Sequence, residues 1–573
     1  MRPSRLTIEK LLFAIAFALA IGVRLLNLGE SPLTDYEAEY AMQAWDIAQG
    51  EDTVIGPQPG YVLITGALFS LLGSSEFLAR LLPALAGSLI LLALYVFRDQ
   101  IGSKPMLVIA FGLALDPGMI AISRIAGGPM PAISFVFLSL AAWRTSRPML
   151  TGILLGLTLL SGPALFMGLI IFGISYGLIR WSLGERMPQI DWSLLEDPRY
   201  TTIGSRRVVW ISAVITIIVI GTHFFQHPQG LAAIAAGIPA YFQSWFSTSQ
   251  ISTGRALVTL ITVQPFGLFF ALIGGYLGWR EREAVGQALV VWLLVSASIV
   301  LLSPGRQMSD LGWVLIPMWA LAVKGLSQFL VKDRENDLQS LGHMSLIFIL
   351  LAFIWINLVV LTETIPDTQL YTLRWAIVGI ALAMGLMSSF LIALGWSTQI
   401  ARQGLIWGVA LALGFYTLSA VWGVGTMDWG GKSPPQASLL LDTLGDMSEW
   451  HIGRRDNIDV VYQTDAASVA WLLREYSRAR NVEQLNITEM PSMIITVKDE
   501  TEPAIGAAYS GQSFAWGVND AWSGFFPPDW LRWIVYRKIP VTHYDEVILW
   551  ARADLFPEGA LIPERGIDVP VEE

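Results

Sequence analysis

Apolar residues along the chain fall in runs of roughly 18 to 25 positions, the length an α-helix needs to cross about 30 Å of hydrocarbon. The runs predict about thirteen membrane spans, at 10–28, 76–97, 105–122, 131–143, 149–161, 164–180, 208–225, 256–279, 285–303, 311–331, 343–361, 372–397 and 403–424. The run at 61–73, YVLITGALFSLLG, is too short to span and is expected at the interface. Arg2, Arg5 and Lys10 precede the first run in the manner of a signal peptide. No small-residue cleavage site follows, so this run is expected to remain as the first span.

After Val424 the pattern changes. WGGKSPPQ reads as a linker, and short β-type runs follow at 458–463, 492–497 and 546–552, with a helical pattern at 465–479. Strands alternating with helices suggest a small α/β domain. The expected organisation is a helical membrane domain over 1–429, with a first exterior loop at 29–75, and an extracytoplasmic α/β domain over 430–573. Trp516, Trp522, Trp530, Trp533 and Trp550 suit either an ordinary core or a face resting on the membrane.

Composition agrees with a polytopic membrane protein: 54% of the 573 residues are hydrophobic and 14% are charged. The net charge of -10 and the lack of a basic stripe disfavour nucleic acid. With no cysteine there are no disulfides, thiolate metal sites or cysteine nucleophiles. No P-loop or dinucleotide motif occurs, so ATP-driven transport is unsupported.

Lys and Arg orient the spans. With the N-terminus in the cytoplasm, the inside loops carry Arg98 and Lys104, then Arg144 and Arg147, then Arg180, Arg186, Arg199, Arg206 and Arg207. Arg280 and Arg282, Lys332 and Arg334, and Arg402 complete the set, as the positive-inside rule expects. A multi-pass plasma-membrane protein with an extracytoplasmic C-terminal domain follows, and the segment TDYEAEYAMQAW, residues 34–45, lies outside.

That segment holds Asp35, Glu37 and Glu39 directly after the first span. A helix here places Asp35 and Glu39 on one face and Ala38, Ala41, Met42 and Trp45 on an apolar one. Acids at its start favour the helix dipole. A carboxylate at this boundary also suits proton abstraction from a hydroxyl, or a divalent cation.

The order Arg24-Leu25-Leu26-Asn27-Leu28-Gly29, Pro32-Leu33 and E-A-x-x-A resembles the GT-C membrane glycosyltransferases. The branch it looks most like is the protein O-mannosyltransferase and aminoarabinose transferase superfamily. Pro59-Gly60-Tyr61, the stretch from Gly73 to Gly87, Asp116-Pro117 and Ser123-Arg124 extend the resemblance. It is strongest over 20–145 and weaker over 146–424. It implies transfer of a sugar from a polyprenyl-phosphate donor to a protein, lipid or glycan at the exterior face. The family's D-E-A triplet matches Tyr36-Glu37-Ala38, so its acid falls on Tyr36, and either Asp35 or Glu37 takes the role. A second acid, expected after S-R, is missing from SRIAGGPMPAIS. Asp116 is a possible replacement, or it ends a helix before proline. A tightly held divalent cation would find few oxygen ligands.

A lipid phosphate needs cations. Arg80, Arg124, Arg255, Arg306 and Arg374 fall near exterior span ends, and guanidinium binds phosphate through a fork of donors. Arg124, Arg306 and Arg80 are the candidates. The alternative for each is snorkelling to headgroups or a local pair, such as Arg306 with Asp310. His223 and His227 stand four apart, but Pro228 follows and no third ligand is visible, so a structural role is expected. Two other readings stay open: a silent relative that binds a lipid-linked glycan or serves assembly, and a transporter or flippase. Against the latter, no duplication is visible and the acids lie at span ends.

Overall fold

The computed structural model describes residues 8–184, 203–249, 251–329, 337–423, 429–485, 490–498, 507–522 and 524–556. Of the basic residues used for orientation, Arg2, Arg5, Arg186, Arg199, Lys332 and Arg334 lie outside them. The chain divides into two compact units. The first comprises Met1–Ser31, Gln43–Gly430 and Ala521–Pro540, and the second Pro32–Met42, Gly431–Asp520 and Val541–Glu573.

The first unit is helical. Among the described residues, six helices are long and apolar enough to cross a membrane: Glu76–Val96, Pro163–Leu183, Ala284–Leu302, Leu338–Thr362, Gln369–Gly395 and Thr398–Trp422. Two bent pairs bring the number to eight if each is one span. Hydropathy alone suggests about thirteen. Two of the expected spans, 131–143 and 149–161, form the short helices Met130–Arg144 and Pro148–Leu159, and the run at 61–73 forms the short helix Pro59–Leu72, each with proline in its first turn. Proline suits a helix start because its missing N–H has no intrahelical partner there.

The bent pairs follow the same rule. Ser103–Leu115 gives way to Pro117–Ser123 at 57°, with Asp116 at the break. Thr253–Val263 gives way to Pro265–Arg280 at 92°, with Gln264 at the break. A break in a membrane helix frees backbone carbonyls that need partners. Arg24 supplies them: its Nη2 donates to Leu113 O at 3.0 Å and its Nη1 to Ala114 O at 3.2 Å. It is fully buried, and its Nε reaches Ser123 Oγ at 3.2 Å.

Small residues let helices approach closely. On Pro265–Arg280, a Cβ at Gly274 would lie 2.0 Å from Leu321 O, and on Gly312–Ser327 a Cβ at Gly325 would lie 2.2 Å from Phe270 O. The segment Ala521–Pro540 belongs to this unit. Trp522 and Trp533 are buried with Val258, the Arg255 guanidinium lies over the Trp522 ring, and Tyr416 Oη donates to Ile534 O at 2.7 Å.

The second unit is a mixed sheet with helices. Its strands are β1 (Val460–Gln463), β2 (Ala479–Asn481), β3 (Met493–Val497), β4 (Tyr509–Asp520) and β5 (Val541–Arg552). Their order is β2-β1-β3-β5-β4. β1 runs parallel to β2 and β3, while β5 is antiparallel to β3 and β4. The run at 458–463 matches β1 and that at 492–497 matches β3, whereas β2 and β4 carry no clear sequence signal. Leu440 and Leu444 of the Ala437–Ile452 helix pack with Val460, Ile495, Trp516 and Leu549 to form the core. Trp516 is thus a core residue, and Trp550 donates to Thr496 Oγ1 at 3.0 Å.

Candidate functional site

The acidic segment forms the Asp35–Gln49 helix. Its start is a capping box. Thr34 Oγ1 accepts from Glu37 N at 3.3 Å, and Glu37 Oε2 accepts from Thr34 N at 3.1 Å. The sequence signal T-x-x-E for this pairing stands at 34–37. Glu37 is buried, at 3% exposure. Asp35 is exposed, and its Oδ1 accepts from Ser468 N at 3.0 Å and from Ser468 Oγ at 2.5 Å. Both residues belong to the second unit. The two acids of one short motif therefore differ in surroundings: Glu37 closes the helix start, while Asp35 keeps a surface position with one oxygen held and, among the described residues, no hydrogen-bond partner at Oδ2.

In the first unit, Arg80 and Arg124 converge on the turn after the Ile8–Leu25 helix. Arg124 donates to Leu26 O at 2.8 Å and to Asn27 O at 2.7 Å. Arg80 donates to Leu28 O at 3.2 Å and to Ser31 O at 2.8 Å. Asn27 is left-handed at φ 53°, the conformation in which helices often end. Cations suit these carbonyls, which carry the negative end of the helix dipole. Among the described residues the Arg124 Nε–H has no hydrogen-bond partner.

Arg306 serves a different turn, donating to Leu301 O at 3.3 Å and Ile251 O at 3.2 Å. Asp310 accepts from Gln307 N at 2.8 Å, so it caps its own turn and does not pair with Arg306. Arg374 bonds Asn357 Oδ1 at 2.8 Å. The His223 and His227 rings stand 5.8 Å apart.

Asp116 is fully buried. Its Oδ1 accepts from Met119 N and Gln264 Nε2, both at 2.7 Å, and its Oδ2 accepts from Trp319 Nε1 at 2.6 Å. These bonds anchor the helix break before Pro117. Among the described residues no group of three or more His, Asp or Glu could hold a metal ion. With both Asp116 oxygens committed as well, the residues do not fit a divalent cation.

Two of the stretches that carry the resemblance, Pro59-Gly60-Tyr61 and Gly73 to Gly87, reach one small cleft of the first unit, lined by Gly60, Tyr61 and Leu82 together with Gly128, Pro131 and Phe135.

The helices are those of a multi-pass membrane protein, and the fold is that of the GT-C membrane glycosyltransferases. The crystal structure of ArnT from Cupriavidus metallidurans bound to undecaprenyl phosphate superposes with a TM-score of 0.53. It is 13% identical, over 95% of this chain and 98% of that one. Its apo state gives 0.50 over the same coverage. The Archaeoglobus fulgidus oligosaccharyltransferase complex with zinc and sulfate reaches only 0.39, at 14% identity over 82% of this chain and 62% of that one. No family model and no curated protein matches the chain.

Proposed function

We propose that this protein transfers a sugar from a polyprenyl-phosphate-linked donor to a protein, lipid or glycan acceptor at the exterior membrane face. The observation that carries the reading is the fold, shared over nearly the whole chain with a protein solved in complex with undecaprenyl phosphate. Asp35 Oδ2 and the Arg124 Nε–H, neither with a hydrogen-bond partner among the described residues, add the chemistry.

In this reading the acceptor O–H gives its proton to Asp35 Oδ2. The acceptor oxygen bonds to the anomeric carbon, and the carbon–oxygen bond to phosphate breaks with its electron pair on the phosphate oxygen. Cations stabilise the charge on such a leaving group, the role proposed for Arg124 and Arg80 of the first unit, with Arg306 as a further candidate on its own turn. Glu37 supports the helix that presents Asp35. The N-terminus is cytoplasmic and the sheet domain extracytoplasmic.

The test uses purified full-length protein with a panel of undecaprenyl-phosphate-linked hexoses and pentoses. Release of undecaprenyl phosphate is expected from the wild type, with a loss of about 100-fold or more in Asp35→Asn, the range of a general base. Donor binding without turnover, unchanged by that substitution, would favour a silent lipid-glycan-binding relative. The missing carboxylate in SRIAGGPMPAIS supports that second reading.

A further inference from the structure

We propose that Ser468 is a positioning residue for Asp35, holding one carboxylate oxygen so that the other is presented to the acceptor hydroxyl. The proposal rests on the reading of Asp35 as general base.

The hydrogen bonds have a fixed direction. Trp516 Nε1, a group that can only donate, gives its proton to Ser468 Oγ at 2.9 Å. The single hydroxyl proton of Ser468 is then directed to Asp35 Oδ1 at 2.5 Å, and the Ser468 backbone N–H reaches the same oxygen at 3.0 Å. Oδ1 thus takes two donors from one residue, while Oδ2 takes none among the described residues. Ser468 and Trp516 are buried, at 4% and 5% exposure, whereas Asp35 is at the surface.

The strand is built to aim the indole. Ala515 pairs with Glu546 and Gly517 with Asp545, which leaves Trp516 as the extra residue of a bulge in β4. Bulges re-aim side chains and recur beside active sites. Gly517 admits no side chain, since a Cβ would lie 2.6 Å from Asp545 Oδ2. Next to the bulge, Ala515 N donates to Gln436 Oε1 at 2.6 Å. An exposed aspartate on the first turn of a helix would otherwise sample several rotamers. Locking it through a core-anchored tryptophan removes that ordering cost from the reaction.

Kinetics of the full-length protein with the undecaprenyl-phosphate-linked donor panel test the idea. Ser468→Ala should lower kcat by about 10-fold or more, the worth of a hydrogen bond to a charged group, with donor KM within about 2-fold. Ser468→Thr should restore most of kcat. Trp516→Phe, which keeps the ring and removes the donor, should fall in the same direction by less. In the Asp35→Asn background, Ser468→Ala should cost nothing further. A wild-type kcat in Ser468→Ala, or an equal further loss in the Asp35→Asn background, overturns the proposal while leaving the proposed function standing. Full turnover in Asp35→Asn overturns the reading of Asp35 as general base and this proposal with it, while no turnover in the wild type with any donor defeats the proposed function itself.

Discussion

Gln264 donates to Asp116 at 2.7 Å, and each residue stands at the break of a bent helix pair. The two breaks are therefore tied to each other inside the first unit. Trp319 adds the third donor from the Gly312–Ser327 helix.

Replacing Asp116 by alanine strands three donors in a dry interior. The expected cost is about 3 kcal/mol or more, the range for removing one partner of a buried charged network. Asp116→Asn keeps one acceptor and should lose less. Thermal unfolding of the detergent-solubilised protein reads both. Equal melting temperatures for wild type and Asp116→Ala would show that the breaks hold without the node.

Asp35 and Glu37 should separate cleanly. Glu37→Gln keeps the capping geometry, because glutamine closes the box as glutamate does. Its turnover should stay within about 3-fold of wild type, since no proton passes through it. Thr34→Ala should lower stability by about 1 kcal/mol, the usual worth of an N-cap. Loss of turnover in Glu37→Gln with full activity in Asp35→Asn would exchange the two roles.

The crossing of Pro265–Arg280 and Gly312–Ser327 depends on the absence of side chains at Gly274 and Gly325. Adding a methyl at either meets backbone oxygen, so the helices must part. Gly274→Ala and Gly325→Ala should each destabilise by about 1–3 kcal/mol, the cost of overpacking. Gly22→Ala, whose new methyl meets nothing within 4 Å, is the control and should melt as wild type does.

Burial raises the Asp46 carboxyl above its ordinary value of 3.8, against the lowering effect of its hydrogen bond with Thr53. The folded state thus binds this proton more tightly than the unfolded chain. Its contribution is fully present below the unfolded value and is lost as pH rises through the folded one. Asp46→Asn should stabilise the protein at pH 7, and the gain should vanish near pH 4 and below. A gain that is the same at both pH values would assign the effect to something other than titration.

Much of this architecture is legible along the chain because it depends on local pattern. Apolar runs mark membrane helices, although the bends at Asp116 and Gln264 fall inside runs that read as single spans, 105–122 and 256–279. The T-x-x-E of Thr34 and Glu37 marks the start of the acidic helix, and the alternation at 458–463 and 492–497 marks two strands. Periodicity and proline geometry act over a few residues, so sequence alone determines them. Other features are decided only in three dimensions. The guanidinium groups of Arg80 and Arg124 turn to carbonyls of residues 26–31, because a helix end leaves those oxygens without partners. Asp116 meets Gln264 148 positions away, and Asp35 meets Ser468 433 positions away. No local signal encodes such pairs: burial of a polar group demands a partner but does not say which, and only the packed chain supplies it.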